Sequence, residues 1–104
     1  MSSTAVAVAR VPTPAYLSTD VFVSRVSPLF VRHNFPHKSR CSQLEMTVSA
    51  CLNLTSFTCV LEFVVDSTLE QCDVLLGLDW SRQCHVAGMM SFAACLPRLH
   101  GIGA

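Results

Sequence analysis

Residues 46–65 constrain what this chain can fold into more than any other stretch. Val48, Ala50, Leu52 and Leu54 alternate with Thr47, Ser49, Cys51 and Asn53. Thr55-Ser56 interrupts the run, and then Phe57, Cys59, Leu61, Phe63 and Val65 alternate with Thr58, Val60, Glu62 and Val64. Side chains of an extended strand point to opposite faces with period two, so each run has one face to bury and one to expose. The pair predicts an antiparallel hairpin. Its turn lacks the Asn-Gly or Gly signal that tight hairpins prefer, which leaves the turn geometry open.

A length of 104 residues fits one small domain with a limited core, which dimerisation or extra strands would help. With 51% apolar and 13% charged residues the chain is not disordered in composition. Seven acids balance seven bases, so no large field attracts nucleic acid or an anionic membrane, and the neutral balance favours self-association. No apolar run approaches the ~20 residues of a spanning helix. Residues 1–14 read as a loose arm or a first strand. The apolar run Ala5 to Ala9 has no basic residue before it, so it is not a signal peptide, and a cytoplasmic location is expected.

Six cysteines, Cys41, Cys51, Cys59, Cys72, Cys84 and Cys95, contain no Cys-x-x-Cys pair. They read as thiols, several of them packed in strands, with no metal site and no cofactor. His33 and His37 stand four apart, but Pro36 between them argues against the helix that metal binding would need, so they read as surface residues. With Pro28, Lys38 and Arg40 they form a basic loop region. Asn53-Leu54-Thr55 matches a glycosylation sequon and reads as a chance match in a turn. Asp66-Ser67-Thr68 reads as a solvated turn.

Val74-Leu75-Leu76 is a short, wholly apolar strand of the kind covered on both faces. Gly77 follows where another segment can approach the backbone closely. Asp79 is placed to cap a short helix from Trp80 to about Cys84, and Trp80 reads as a packing residue or part of a dimer seam. Met89, Met90 and Phe92 read as core or edge-strand packing, with an exposed patch as the alternative.

Three pieces of the chain resemble the retropepsin-like aspartic proteases of gypsy-type retroelements. One is Val74-Leu75-Leu76-Gly77 followed by Asp79-Trp80, similar to the family's apolar-apolar-Gly-x-Asp-Trp ending. The second is the preceding hairpin with Phe57 and Phe63. The third is Thr19-Asp20-Val21-Phe22-Val23-Ser24, which resembles the tail of the segment that carries the family's Asp-Ser/Thr-Gly triplet. Aligning that tail reaches Ala15, and so does counting back the family's interval of about 60 residues from Leu75.

The resemblance implies an all-β, retropepsin-like small barrel or sandwich with one short C-terminal helix, incomplete at its N-terminus. It spans residues 15–86, and residues 87–104 form a C-terminal extension. The triplet is occupied by Ala15, Tyr16 and Leu17, so the family's catalytic carboxylate is missing. Two aspartates sharing one proton would activate water and polarise the scissile carbonyl, and alanine fills neither role. Leu75, Leu76 and Gly77 would form the motif under that site. The interval Ser27 to Met46, where the family has a glycine-rich flap, contains no glycine. The function implied is a protease-like protein without catalysis that still binds a peptide or a second subunit as a homodimer. The alternatives are an active aspartic endopeptidase using a different acid, such as Asp20, and a β-rich interaction module without protease ancestry.

Overall fold

The computed structural model describes residues 5–99, and residues 1–4 and 100–104 lie outside it. In chain order its strands are β1 (Ala5–Val8), β2 (Val11–Pro14), β3 (Tyr16–Leu17), β4 (Arg25–Val26), β5 (Gln43–Leu52), β6 (Thr55–Val65) and β7 (Val74–Leu76). The helices are α1 (Pro28–Asn34), α2 (Leu78–Val86) and α3 (Met90–Ala94), with a single 3-10 turn at Pro36–Lys38. All seven strands join one sheet in the order β2-β1-β5-β6-β4-β7-β3. The fold is all-β in character, with three short helices where the sequence led to the expectation of one.

The expected hairpin is the longest element of the sheet. β5 and β6 pair from Gln43↔Val64 to Leu52↔Thr55 without a bulge. Leu44, Met46, Val48 and Ala50 are buried on one face with Phe57, Leu61 and Phe63, while Glu45, Thr47, Val60 and Glu62 are exposed on the other. Pairing leaves only Asn53 and Leu54 in the turn, both at positive φ (51° and 68°). That is the pattern of a type I′ turn, whose backbone twist suits the flanking strands. Asparagine tolerates the left-handed region, but leucine there carries a penalty of about 1–2 kcal/mol. The sequence obscured this turn because its second residue breaks the rule.

Residues 5–14 form a second hairpin, β1–β2, which docks on β5 through Val6↔Ala50 and Val8↔Val48. Its two-residue turn, Ala9-Arg10, again has positive φ at both positions (47° and 72°). β2 is one edge of the sheet. In its register Val11 and Thr13 face β1, so Pro12 and Pro14 occupy the positions whose N–H groups would point off the edge. Proline has none to offer, so this edge presents no donors to an incoming strand. β3 is the other edge, and Pro97 to Leu99 cover it: Leu17 donates to the Pro97 carbonyl (2.9 Å) and accepts from Leu99 (3.2 Å).

The basic loop expected around Pro28 contains a helix instead. Ser27 caps α1, its Oγ accepting from the Phe30 N–H at 3.1 Å, and Pro28 stands at the first helical position, where a missing N–H costs nothing. Phe30 and Val31 are buried, so the helix is held by the core as well as its cap. His33 and His37 are both exposed, and no cluster of metal-binding side chains occurs among the described residues. Residues 87–99 of the expected extension belong to the same core: Phe92, Ala93 and Leu96 are buried in it. Met89 is half-buried and Met90 exposed, so Phe92 alone of that trio is a core residue.

Candidate functional site

β7 lies between β4, its antiparallel neighbour, and β3, its parallel neighbour. Val74, Leu75 and Leu76 are fully buried, as a strand covered on both faces should be. The strand ends at Gly77, and the loop joining β3 to β4 crosses directly over it. A Cβ at Gly77 would stand 2.6 Å from the Val21 carbonyl oxygen and 3.0 Å from that of Phe22. Only glycine admits this approach. It brings the Val21 and Phe22 carbonyls onto the open start of α2, where they accept from the Leu78 (2.9 Å) and Asp79 (3.0 Å) N–H groups. Two of the helix's orphan donors are thereby satisfied by backbone from another part of the chain.

Gly77, rather than Asp79, occupies the N-cap of α2, and it supplies no side chain. Asp79 sits in the first turn and accepts three hydrogen bonds. Ser24 donates two of them, from its N–H to Oδ2 (2.9 Å) and from its hydroxyl to Oδ1 (2.6 Å). The Trp80 N–H supplies the third, to Oδ1 (2.7 Å). The Ser24 hydroxyl also accepts from the Gly77 N–H at 3.0 Å, so one buried hydroxyl joins the loop, the end of β7 and the helix. With both oxygens of Asp79 engaged, this carboxylate is a clamp. Trp80 beneath it is fully buried and meets Phe57 edge-on (5.6 Å between ring centroids), and Phe57 in turn packs on Phe92 (5.7 Å).

Ala15, Tyr16 and Leu17 do not form the loop above Gly77. Ala15 is buried in the main core, and Tyr16 and Leu17 make up β3, paired to Leu75 and Leu76. The loop begins three residues after Ala15, at Ser18, whose N–H donates to the Leu76 carbonyl (2.9 Å) and whose Oγ accepts from the Asp20 N–H (3.2 Å). Thr19 and Asp20 follow it, both exposed. Asp20 has no second carboxylate beside it in this loop.

Asp66 is used structurally. Asp66 accepts from the Thr68 hydroxyl (2.6 Å) and N–H (2.9 Å) and pairs with Arg25 (2.6 Å). The Thr68 hydroxyl first, and Arg25 with it, hold its carboxyl below the usual carboxylate range. That is the turn expected for Asp66-Ser67-Thr68. The six thiols are all free, with Cys41 and Cys51 exposed and Cys84 buried. Burial pushes the Cys59 thiol up to about 12 and those of Cys72 and Cys84 up to about 11, so all three stay protonated and weakly nucleophilic. No helix among the described residues is long and apolar enough to cross a membrane.

Of the residues singled out in the sequence, the fold therefore brings together Leu75, Leu76, Gly77 and Asp79 with the segment from Asp20 to Ser24. It leaves Ala15 outside that cluster. Ser24 carries more of the junction than its place in a weak Phe-Val-Ser motif suggested. Comparison with protein-family models and with curated protein sequences returned no match.

Proposed function

We propose that this chain is a retroelement-derived, retropepsin-like domain that has lost catalysis and keeps the capacity to bind a peptide or a second subunit. One observation supports the reading above others. Ser24 and the Gly77-to-Asp79 segment, about 55 residues apart, belong to two separate motifs on which the resemblance rests, and they meet through three hydrogen bonds. A chance resemblance has no reason to join in space two short motifs so far apart in sequence.

The residues at the junction support the loss of catalysis. The loop over Gly77 opens with Ser18-Thr19-Asp20, so neither Ala15 nor the loop's first position carries a carboxylate. Water activation by a proton-sharing pair needs one acid from each of two subunits in close approach. Asp20 is the one acid of the loop and gives the active-protease alternative its only concrete candidate.

Peptide cleavage at mildly acidic pH tests the reading with three proteins. The first is the chain itself. The second carries Ala15→Asp, Tyr16→Ser and Leu17→Gly. The third carries Ser18→Asp and Asp20→Gly and keeps Thr19 between them. Because Ala15 and Leu17 are buried, the second protein should be the least stable of the three. Cleavage by the third alone, blocked by a statine-type inhibitor, is the expected result. Cleavage by the unaltered chain would overturn the loss of catalysis. Silence from all three, with the third still folded, would remove the protease ancestry.

A further inference from the structure

A shallow apolar groove of about 480 Å³ runs along the outer side of α2. Phe22, Leu78, Val86 and Met90 line it, and Phe22 (56% exposed) and Val86 (84%) are among the most exposed large apolar residues described. Arg82 and His85, three apart on one helix face and so about 5–6 Å from each other, are its charged and polar rim. No carboxylate lines it. Asp79 borders the adjoining recess, but both its oxygens are taken by Ser24 and Trp80. The Arg82 guanidinium rests over the Phe22 ring at 5.8 Å and forms no ion pair among the described residues.

The outer face of the β5–β6 hairpin has the opposite character. Glu45 and Glu62 are direct cross-strand partners, both exposed, with Cβ atoms about 5 Å apart. Like charges in that position repel, and no cation among the described residues pairs with either. Val60, 51% exposed, stands on the same face two residues from Glu62. An acidic pair beside an apolar side chain thus matches in spacing an arginine and a histidine beside an apolar groove, with Arg82 opposite in sign and His85 able to donate a hydrogen bond.

We propose that this chain binds a second copy of itself, the β5–β6 outer face of one seated in the α2 groove of the next. Val60 enters between Phe22 and Val86, while Glu62 and Glu45 meet Arg82 and His85. Pro12 and Pro14 discourage strand addition at the β2 edge and residues 97–99 cover β3, which favours a face-to-groove contact over edge pairing. The two surfaces differ, so the contact is heterologous and extends to chains or rings. It does not depend on the protease ancestry proposed above.

Sedimentation velocity over a concentration series in low salt tests the contact. The unaltered chain should show a weight-average sedimentation coefficient that rises with concentration and falls back on adding salt. Arg82→Glu and Glu62→Arg should each weaken association by about tenfold or more. An equimolar mixture of the two variants offers one native contact and one charge-reversed contact, and should regain association that each variant alone has lost. Glu62→Arg should also raise the monomer's melting temperature by relieving Glu45, which separates lost association from lost folding. A chain that stays monomeric throughout, or association that neither variant changes, would overturn the proposal. In the monomeric case the groove is left to a foreign acidic-apolar partner.

Discussion

Replacing Gly77 by alanine asks whether the loop's approach to β7 holds the junction together. The backbone there (φ −96°, ψ −162°) is open to any residue, so alanine brings little conformational penalty of its own. What it brings is a methyl 2.6 Å from the Val21 carbonyl oxygen. Carbon and oxygen need about 3.3 Å, so the loop must retreat by roughly 0.7 Å. The Leu78 N–H to Val21 bond, 2.9 Å long, then stretches to about 3.6 Å and ceases to be a hydrogen bond. Strain of about 1–3 kcal/mol and a lost bond of about 0.5–1.5 kcal/mol combine to about 2–4 kcal/mol. That is a large part of the total stability, about 5–15 kcal/mol, expected for a domain of this kind. Urea unfolding followed by the fluorescence of Trp80, the chain's single and fully buried tryptophan, reads the change directly. Gly88→Ala is the matched control. Its φ is +71° and nothing lies within 4 Å, so only the backbone penalty of about 1–2 kcal/mol applies. A loss at Gly77 below about 0.5 kcal/mol, or smaller than the loss at Gly88, would refute the argument from close approach.

Leu54→Gly should stabilise the chain by about 1 kcal/mol, because Leu54 is fully exposed at positive φ and has no packing to lose; a lower midpoint in thermal unfolding would count against the type I′ turn. Ser24→Ala should cost about 1–3 kcal/mol in urea unfolding, since it leaves the buried Gly77 N–H without an acceptor and withdraws a donor from Asp79. For Asp66 the folded carboxyl is held below its unfolded value, so its contribution is present above about pH 4 and is lost as pH falls through the folded value. Asp66→Asn should therefore flatten the acid limb of a stability-against-pH curve and leave its shape near neutral pH unchanged. Alkylation with iodoacetamide near pH 8, read by mass spectrometry, should modify Cys41 and Cys51 first and Cys84 only after denaturant is added; early modification of Cys84 would contradict its burial.

The elements whose period is written in their side chains were legible along the chain. Alternation over residues 46–65 gives a hairpin with one apolar face, and the run Val74-Leu75-Leu76 reads as the interior strand it forms. Gly77 was legible as a point of close approach, though not what approaches it. Helix α1 was legible in principle through Ser27-Pro28, but the prolines and basic residues nearby read as loop. The C-terminal residues showed no period because α3 is barely one turn long, and the burial of Phe92 and Ala93, with Phe92 against Phe57, makes it part of the core.

Which residues gather at the end of β7 depends on strand pairing across the whole sheet. Counting along the chain reaches Ala15, because counting treats the segment after it as a loop. Parallel pairing to β7 draws Tyr16 and Leu17 into the sheet and moves the start of the loop to Ser18. The junction of Ser24 with Asp79 is likewise a contact between residues 55 apart in sequence, fixed when β4 and β7 pair and carry their ends to the same edge of the core. Local side-chain period reports which face a residue turns to the core. It carries no record of which distant strand comes to lie alongside, and that pairing, set by the packing of the whole sheet, built this site.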